Sequence, residues 1–238
     1  LLGFATGDAF GVPVEFLSRS EVRKINLKEM VGKDTRLKFR SRWGDMIPSG
    51  SWSDDTSMLI AAMDTIKNDK GTINYDDIME SFLKWWEGGE YCALNMPFGL
   101  GGIVSDSLSR YKMGISPLDC GGKGERDNGN GALMRILPFS LYCIETEMNE
   151  ADTAALIGEA SQITHGHDIS KMSCFMYTEF LRIITITKNP RIAYNYILNI
   201  NYEDYFSKEA IEAHKKILDK TVLYGTDDDI SEKNGYVV

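Results

Sequence analysis

The segment that decides the fold of this chain reads Ser51-Trp52-Ser53-Asp54-Asp55-Thr56-Ser57-Met58, and an apolar pattern of helical spacing follows it. The spacing predicts a helix over 56–68, with Leu59, Ala62, Met63 and Ile66 on its apolar face. The acidic pair then stands at the helix N-terminus, where free N–H groups and the helix dipole stabilise negative charge. One interpretation is structural, with aspartate as the N-cap. The other is a cation site, because paired carboxylates beside a hydroxyl suit Mg²⁺ or Mn²⁺.

The composition indicates a globular chain of one domain, or two small ones at most. The chain has 238 residues, of which 43% are hydrophobic, and a formal net charge of −9. This charge argues against a general nucleic-acid binder but not against a nucleotide-sized ligand. No apolar run has the length of a membrane span. The four cysteines are widely spaced without a C-x-x-C pair, which predicts reduced thiols in a cytoplasmic protein; they are Cys92, Cys120, Cys143 and Cys174.

The first residues predict a packed helix and no signal peptide. Leu1-Leu2-Gly3-Phe4 is apolar but has no basic region before it. Gly3, Gly7 and Gly11 lie four residues apart, so we expect them on one helix face, closely packed against another backbone. The chain opens on leucine within patterned sequence, and we therefore expect the natural start to lie upstream.

Further helices are predicted at 75–87, 101–113, 131–146, 152–164, 169–188, 190–199 and 206–222. Pro138 is expected to kink the helix over 131–146, and Asp168 to cap the helix over 169–188. Residues 18–50 resemble a charged loop with room for one short helix. Strand signals are poor and no domain break is visible. The prediction is one all-α domain over 1–238.

Several polar and aromatic residues have ordinary structural interpretations. Trp85-Trp86 is predicted to pack in the core and at its rim. His214, beside two lysines, is expected to face solvent. His165 and His167 lack a third ligand nearby, so a zinc site is not predicted there.

Two glycine-rich segments precede the helix predicted to begin near Ala132. They are Gly121-Gly122-Lys123-Gly124 and Asp127-Asn128-Gly129-Asn130-Gly131. Glycines before a helix N-terminus allow a phosphate to approach the backbone. A flexible turn is the alternative, because the spacing matches neither a P-loop nor G-x-G-x-x-G.

Four stretches, taken in order, resemble the motifs of the ADP-ribosylglycohydrolase family. They are Gly7-Asp8-Ala9-Phe10-Gly11-Val12-Pro13-Val14-Glu15, Ser53-Asp54-Asp55-Thr56-Ser57-Met58, Gly129-Asn130-Gly131-Ala132-Leu133-Met134-Arg135 and Thr164-His165. The resemblance implies a single-domain orthogonal all-α bundle whose cleft holds two Mg²⁺ ions, with Mn²⁺ as an alternative. It implies hydrolysis of the bond between C1″ of ADP-ribose and an acceptor, which is arginine, serine or an O-acetyl group in different relatives.

The resemblance also assigns roles to individual residues. The metal ligands are expected to be Ser53, Asp54 and Asp55. The catalytic residues are expected to be Glu15, Asp54 and Asp55. The substrate-binding residues are expected to be Gly129, Asn130, Gly131, Ala132, Met134, Arg135 and His165.

Three departures from the family pattern affect these expectations. Ser53 stands where most members carry threonine, and Gly99 where many bacterial relatives carry an acidic residue. The final family motif, Gly-Asp-x-Asp-Thr, is not found. Thr226–Asp229 is interpreted as a surface loop, and Gly235–Val238 resembles the segment before the last family helices. We therefore expect a domain truncated at both ends with half of a two-metal site, completed by a C-terminal segment or prone to self-association.

Three functions follow as hypotheses. The first is a metal-dependent hydrolase acting on ADP-ribose or an ADP-ribosylated protein, without nucleic-acid or membrane partners. The second is a catalytically impaired ADP-ribose-binding or structural protein of the same fold. The third, a phosphatase acting on nucleotides, would need more metal ligands than the sequence shows.

Overall fold

A computed structural model describes residues 1–37 and 41–220 and consists of helices joined by loops. The α-helices are Leu2–Gly11 (α1), Arg19–Ile25 (α2), Asp54–Asn68 (α3), Tyr75–Gly88 (α4), Gly102–Lys112 (α5), Pro117–Cys120 (α6), Leu137–Glu145 (α7), Glu150–Gln162 (α8), Asp168–Thr187 (α9), Pro190–Ile197 (α10), Lys208–Ala213 (α11) and Lys215–Leu218 (α12). Within the described ranges no strand forms, and Gly122 and His165 make one isolated bridge. The all-α prediction is confirmed.

One continuous apolar core holds these helices together. The long helix α9 contacts α7, α8, α10 and α11, while α3 packs against α1, α4 and α7. Met58, Phe82, Phe139 and Phe175 come from four different helices and are fully buried. Burying each side chain of this size contributes roughly 1.5–3 kcal/mol. The packing therefore fixes the position of α3, whose first turn carries the acidic pair.

The prediction for 131–146 was wrong in its first half. Residues Leu133–Arg135 form a short 3₁₀ turn, and α7 begins only at Leu137. Pro138 lies in the first turn of α7, where its missing N–H costs nothing, so it starts a helix and does not kink one.

The N-cap of α9 is His167 and not Asp168. The Nδ1 atom of His167 accepts from the N–H of Ile169 at 3.4 Å. Asp168 instead accepts from the N–H of Ser207 at 3.2 Å. Ser207 is the N-cap of α11, and its side chain accepts from the N–H of Ala210. The helix predicted over 206–222 divides into α11 and α12, and its last two residues lie outside the described ranges.

Two expectations about exposure were wrong. An added Cβ at Gly3, Gly7 or Gly11 would meet nothing within 4 Å, so this face of α1 is open and not packed. His214 is only 1% exposed. The ring stays buried because it forms hydrogen bonds to both α9 and α11. The neighbouring lysines in the sequence gave no indication of these bonds. Trp85 is buried and its neighbour half-buried, as predicted.

Other expectations concern the chain as a whole. In the described part of the chain, no helix has both the length and the apolar character required to cross a membrane. All four cysteines are described there as free thiols, and three of them are buried. The interpretations of Thr226–Asp229 and Gly235–Val238 fall on residues outside the described ranges.

Candidate active site

Two adjoining cavities meet at the N-terminus of α3. The first, of about 530 Å³, lies between the glycine face of α1 and the acidic pair. The second, of about 410 Å³, lies between the same acidic pair and the loop that carries Gly129–Gly131. The residues common to both walls are Glu15, Asp54, Asp55 and Asn130. The predicted catalytic residues are thus brought together from segments far apart in the sequence.

Asp8 of α1 anchors the N-terminus of α3. Its carboxylate accepts from the N–H and the hydroxyl of Ser53, the latter at 2.7 Å. It also accepts from the N–H and the hydroxyl of Thr56, the latter at 2.6 Å. These charge-assisted bonds satisfy helix donors that have no intrahelical partner. Asp8 was not assigned a role from the sequence, although it lies within the Gly7–Glu15 motif.

Ser53 is the N-cap of α3, and the two aspartates occupy its first turn. The Ser53 hydroxyl donates to Asp8 and accepts from the N–H of Asp55 at 3.4 Å. The structural interpretation of the segment is therefore correct except that serine, not aspartate, is the cap. This arrangement does not test the cation hypothesis, because a capped carboxylate pair retains free oxygen atoms.

Burial and mutual repulsion strongly perturb the acidic pair. Burial, with the charges of Glu15 and Asp8 added, raises the pKa of Asp54 to about 7. Burial, with the charge of Asp54 added, raises the pKa of Asp55 to about 8. Four carboxylates are thus crowded in a partly desolvated place. Such crowding favours protonation or the presence of a cation.

Glu15 completes the acidic wall. Its carboxylate accepts from Nε1 of Trp43 at 2.5 Å. Burial raises the pKa of Glu15, an effect that the Trp43 hydrogen bond and the nearby Arg42 guanidinium oppose. Arg42 stacks over Trp43, with 5.0 Å from Cζ to the ring centroid. The loop around Trp43 therefore fixes the direction of the Glu15 carboxylate.

Gly99 lies directly against Asp54. Its φ is +89°, and an added Cβ would lie 2.2 Å from Oδ1 of Asp54. Both the backbone conformation and the contact require glycine. The acidic side chain that many relatives are expected to carry at this point would not fit here unless Asp54 moved.

The loop before α7 forms the opposite wall. Asn128 is fully buried, and its Oδ1 accepts from the N–H and the hydroxyl of Ser170, which ties the loop to α9. Gly131 lies against the His165 ring, since an added Cβ would be 2.7 Å from Cε1. The predicted substrate-binding residues that line this cavity are Gly129, Asn130, Gly131, Met134 and His165.

The other two predicted substrate-binding residues lie behind this wall. Ala132 and Arg135 are fully buried and line neither cavity. The position of Arg135 therefore does not support direct contact with a ligand. Its guanidinium stacks 5.3 Å from the centroid of Phe82 and donates to Thr164 Oγ1 at 2.7 Å.

The segment Gly121–Gly124 has a structural role and lines neither cavity. Gly122 donates to the carbonyl of Thr164 at 3.0 Å and accepts from the N–H of Gly166 at 2.7 Å. An added Cβ at Gly121 would lie 1.9 Å from the carbonyl oxygen of Gln162. These glycines allow the chain to pass close to His165 and do not form a phosphate loop.

The donor set at the acidic wall fits a hard cation in its chemistry. It offers one hydroxyl and several carboxylates, which are the oxygen ligands that Mg²⁺ prefers. Among the described residues, no group of three or more His, Cys, Asp or Glu side chains is placed to hold a metal ion. The metal-binding roles of Ser53, Asp54 and Asp55 stay predictions.

Comparison with known proteins gives consistent results. The chain is 31% identical over 176 residues to an ADP-ribosyl-[dinitrogen reductase] glycohydrolase of Rhodospirillum rubrum, covering 73% of this chain and 52% of that protein. It is 30% identical over 146 residues to the ADP-ribosylarginine hydrolase Tri1 of Pseudomonas putida (strain GB-1), covering 60% of this chain and 34% of that protein. The chain thus spans about half of the first relative and about a third of the second.

A solved structure and the family pattern extend the likeness to nearly the whole chain. The fold is similar to that of an ADP-ribosylglycohydrolase-related protein complex, with a TM-score of 0.62 at 23% identity, covering 98% of this chain and 69% of that one. The sequence pattern of the ADP-ribosylglycohydrolases matches residues 1–238. This chain belongs to the ADP-ribosylglycohydrolase family.

Proposed function

We propose that this chain hydrolyses the bond between ADP-ribose and an acceptor, with ADP-ribosylated arginine as the first substrate to test. The observation that supports this most is the common cavity. The acidic pair Asp54-Asp55 and the Gly129–Gly131 loop with His165 face each other across it. The two relatives, which are both named as ADP-ribosyl hydrolases, support the same chemistry.

In this proposal the two walls of the cavity have different roles. The glycine loop lets the diphosphate and ribose approach its backbone closely, and Asn130 and His165 orient them. Departure of the acceptor builds positive charge at the anomeric carbon, so the opposing carboxylates stabilise the transition state. Glu15 is half-buried and its pKa is raised by burial, which makes its carboxylate a stronger base and suits it to accept a proton from the attacking water.

The proposal includes divalent metal ions at the acidic wall. Ser53, Asp54 and Asp55 would hold Mg²⁺, or Mn²⁺, as two ions in the complete site. When bound, the ions would increase the acidity of water and neutralise the crowded carboxylates. The raised pKa values of the aspartates support this, because a cation would offset both the burial and the repulsion that raise them.

The test is release of ADP-ribose from ADP-ribosylated arginine, serine and O-acetyl substrates, with Mg²⁺ and with a chelator. It is run on this chain and on the chain extended past Val238, because the curated relatives are longer. We expect release from arginine in at least the extended form, and its loss in Asp55→Asn. The matched control is Asp106→Asn, an exposed carboxylate on α5. No release from any of the three substrates in either form would refute the proposal.

A second candidate function is ADP-ribose binding without turnover. The contact between Gly99 and Asp54 favours it, because it leaves no room for an acidic side chain at a place where many relatives are expected to have one. Calorimetry with ADP-ribose, with and without Mg²⁺, separates the two functions. Metal-independent binding combined with no turnover would support the binding protein.

A further inference from the structure

We propose that Arg135 is a positioning residue which, through Thr164, fixes the tautomer of His165. In this arrangement His165 is neutral, carries its hydrogen on Nε2 and offers a hydrogen-bond donor to an oxygen of the ligand in the cavity. The identity of that ligand as ADP-ribose rests on the proposed function. The assignment of the tautomer rests on the geometry alone.

Three side chains form the chain of hydrogen bonds. Nη2 of Arg135 lies 2.7 Å from Oγ1 of Thr164, and the same oxygen lies 2.9 Å from Nδ1 of His165. A guanidinium can only donate, so the Thr164 oxygen accepts from it. The oxygen could accept a second hydrogen bond, but the described residues offer the fully buried Thr164 hydroxyl hydrogen no acceptor other than Nδ1 of His165, so the hydroxyl donates to Nδ1. It follows that Nδ1 carries no hydrogen and that Nε2 does.

The surroundings hold the ring and keep it neutral. Arg135 is fully buried, and burial lowers its pKa to about 10, which still leaves it charged at neutral pH. Burial, with this positive charge added, lowers the pKa of His165 to about 3. The ring cannot move away from the cavity wall easily, since it lies against the backbone of Gly131 and is 1% exposed.

The consequence is a division of roles within the site. A neutral His165 with a hydrogen on Nε2 and an occupied Nδ1 has no free lone pair in the ring. It can therefore donate to a ribose or phosphate oxygen, but it can neither accept a proton from water nor ligate a metal ion without first losing this arrangement. Proton acceptance is left to the carboxylates on the opposite wall.

The experiment is long-range ¹H–¹⁵N correlation NMR of the chain with ¹⁵N-labelled histidine, which has three histidines to resolve. His214 is an internal control of opposite type. Its Nδ1 lies 2.7 Å from the Ala210 carbonyl, which can only accept, so Nδ1 carries a hydrogen. Burial lowers the pKa of His214, and in the neutral ring Nε2 is the acceptor that faces the Ser173 hydroxyl at 2.7 Å. We expect the Nε2–H pattern for His165 from about pH 5 to 8 and the Nδ1–H pattern for His214 at about pH 8. His165→Gln identifies the signals.

An Nδ1–H or a doubly protonated His165 in that range would overturn the proposal. The variants Thr164→Ser and Thr164→Val extend the test. Serine keeps the hydroxyl and should keep the tautomer, whereas valine should give a tautomer mixture and weaken ADP-ribose binding about 10-fold. If valine leaves the tautomer unchanged, the relay is refuted. If the expected tautomer is seen but neither this chain nor the form extended past Val238 binds ADP-ribose, the tautomer assignment is supported and the proposed function is refuted.

Discussion

At the scale of single residues, the contact between Gly99 and Asp54 determines the shape of the acidic wall. The two residues are 45 positions apart, and neither the hydrophobic pattern nor the motif spacing indicates that they meet. Gly99 could be identified from the sequence as a departure from the family pattern. The reason for this departure could not be predicted from the sequence. The structure gives a steric reason, because a Cβ would lie 2.2 Å from the Asp54 carboxylate.

The steric requirement predicts different effects for two glycine substitutions. Gly99 and Gly114 have nearly the same φ, +89° and +85°, but only Gly99 has a close neighbour. Gly114→Ala should cost about 1–2 kcal/mol, from backbone strain alone. Gly99→Ala should cost at least about 1 kcal/mol more and reduce ADP-ribose release, because Asp54 must move. Urea unfolding measures both, and equal losses of stability would contradict the role of the contact.

Residue roles were predictable from sequence where the chemistry is local. The positions of Ser53, Asp54 and Asp55 at a helix N-terminus follow from capping preferences and the helical spacing after them. The burial of Arg135 and His214 did not follow. Both side chains are of types that are usually exposed, and only the hydrogen bonds to distant elements explain their burial.

At the scale of elements, α1 and α3 are joined by the Asp8 carboxylate and not mainly by apolar contact. The glycine face of α1, which was predicted to pack against another backbone, is open. The hydrogen bonds that join α1 to α3 come instead from Asp8, on a neighbouring face of α1. Element boundaries were predicted within a few residues where the apolar period is regular, as in α4 and α5. They failed at Pro138, since a proline can either kink a helix or begin one.

The Asp8 anchor predicts an unusually large capping effect. Asp8→Asn replaces one acceptor oxygen by a donor, so Thr56 or Ser53 loses its partner. We expect a loss of roughly 2–4 kcal/mol in the free energy of unfolding. Asn74→Ala, which removes an ordinary N-cap from α4, should cost only about 1 kcal/mol. Similar losses in the two variants would show that Asp8 acts as a simple cap.

At the scale of the whole molecule, the structure combines a large apolar core with an acidic cavity wall. The fold class was predictable because the helical period dominates almost every segment, and the apolar core confirms it. The cavities were not predictable, since they depend on how α1, α3 and the loop before α7 are placed relative to each other. Long-range placement of this kind leaves no periodic signal in a single sequence.

The raised pKa values of Asp54 and Asp55 predict a pH-dependent stability of the metal-free protein. Both values lie above the unfolded value of 3.8, so the folded chain retains protons that the unfolded chain has lost. The contribution of these two groups to the free energy of unfolding is therefore largest below about pH 4. This contribution is lost as the pH rises from there through about 7–8. Asp55→Asn should therefore be more stable than the wild type by roughly 2–4 kcal/mol at about pH 8.

Urea unfolding with a chelator present measures this difference. Near about pH 3 the variant and the wild type should be almost equally stable, because the side chain at position 55 is then largely neutral in both the folded and the unfolded state. Asp106→Asn should show no such dependence on pH. A constant difference between Asp55→Asn and the wild type across this range would contradict the predicted titration.

The open glycine face of α1 also offers a place to attach a reporter group. Cysteine at Gly7 would add a side chain where no atom lies within 4 Å of the new Cβ, on the wall of the larger cavity. Replacing a mid-helix glycine also removes an unfavourable helix propensity. Of the native cysteines, only Cys92 is even partly exposed. A fluorophore attached at Gly7→Cys would thus lie beside the acidic wall and could signal, in real time, when a ligand enters.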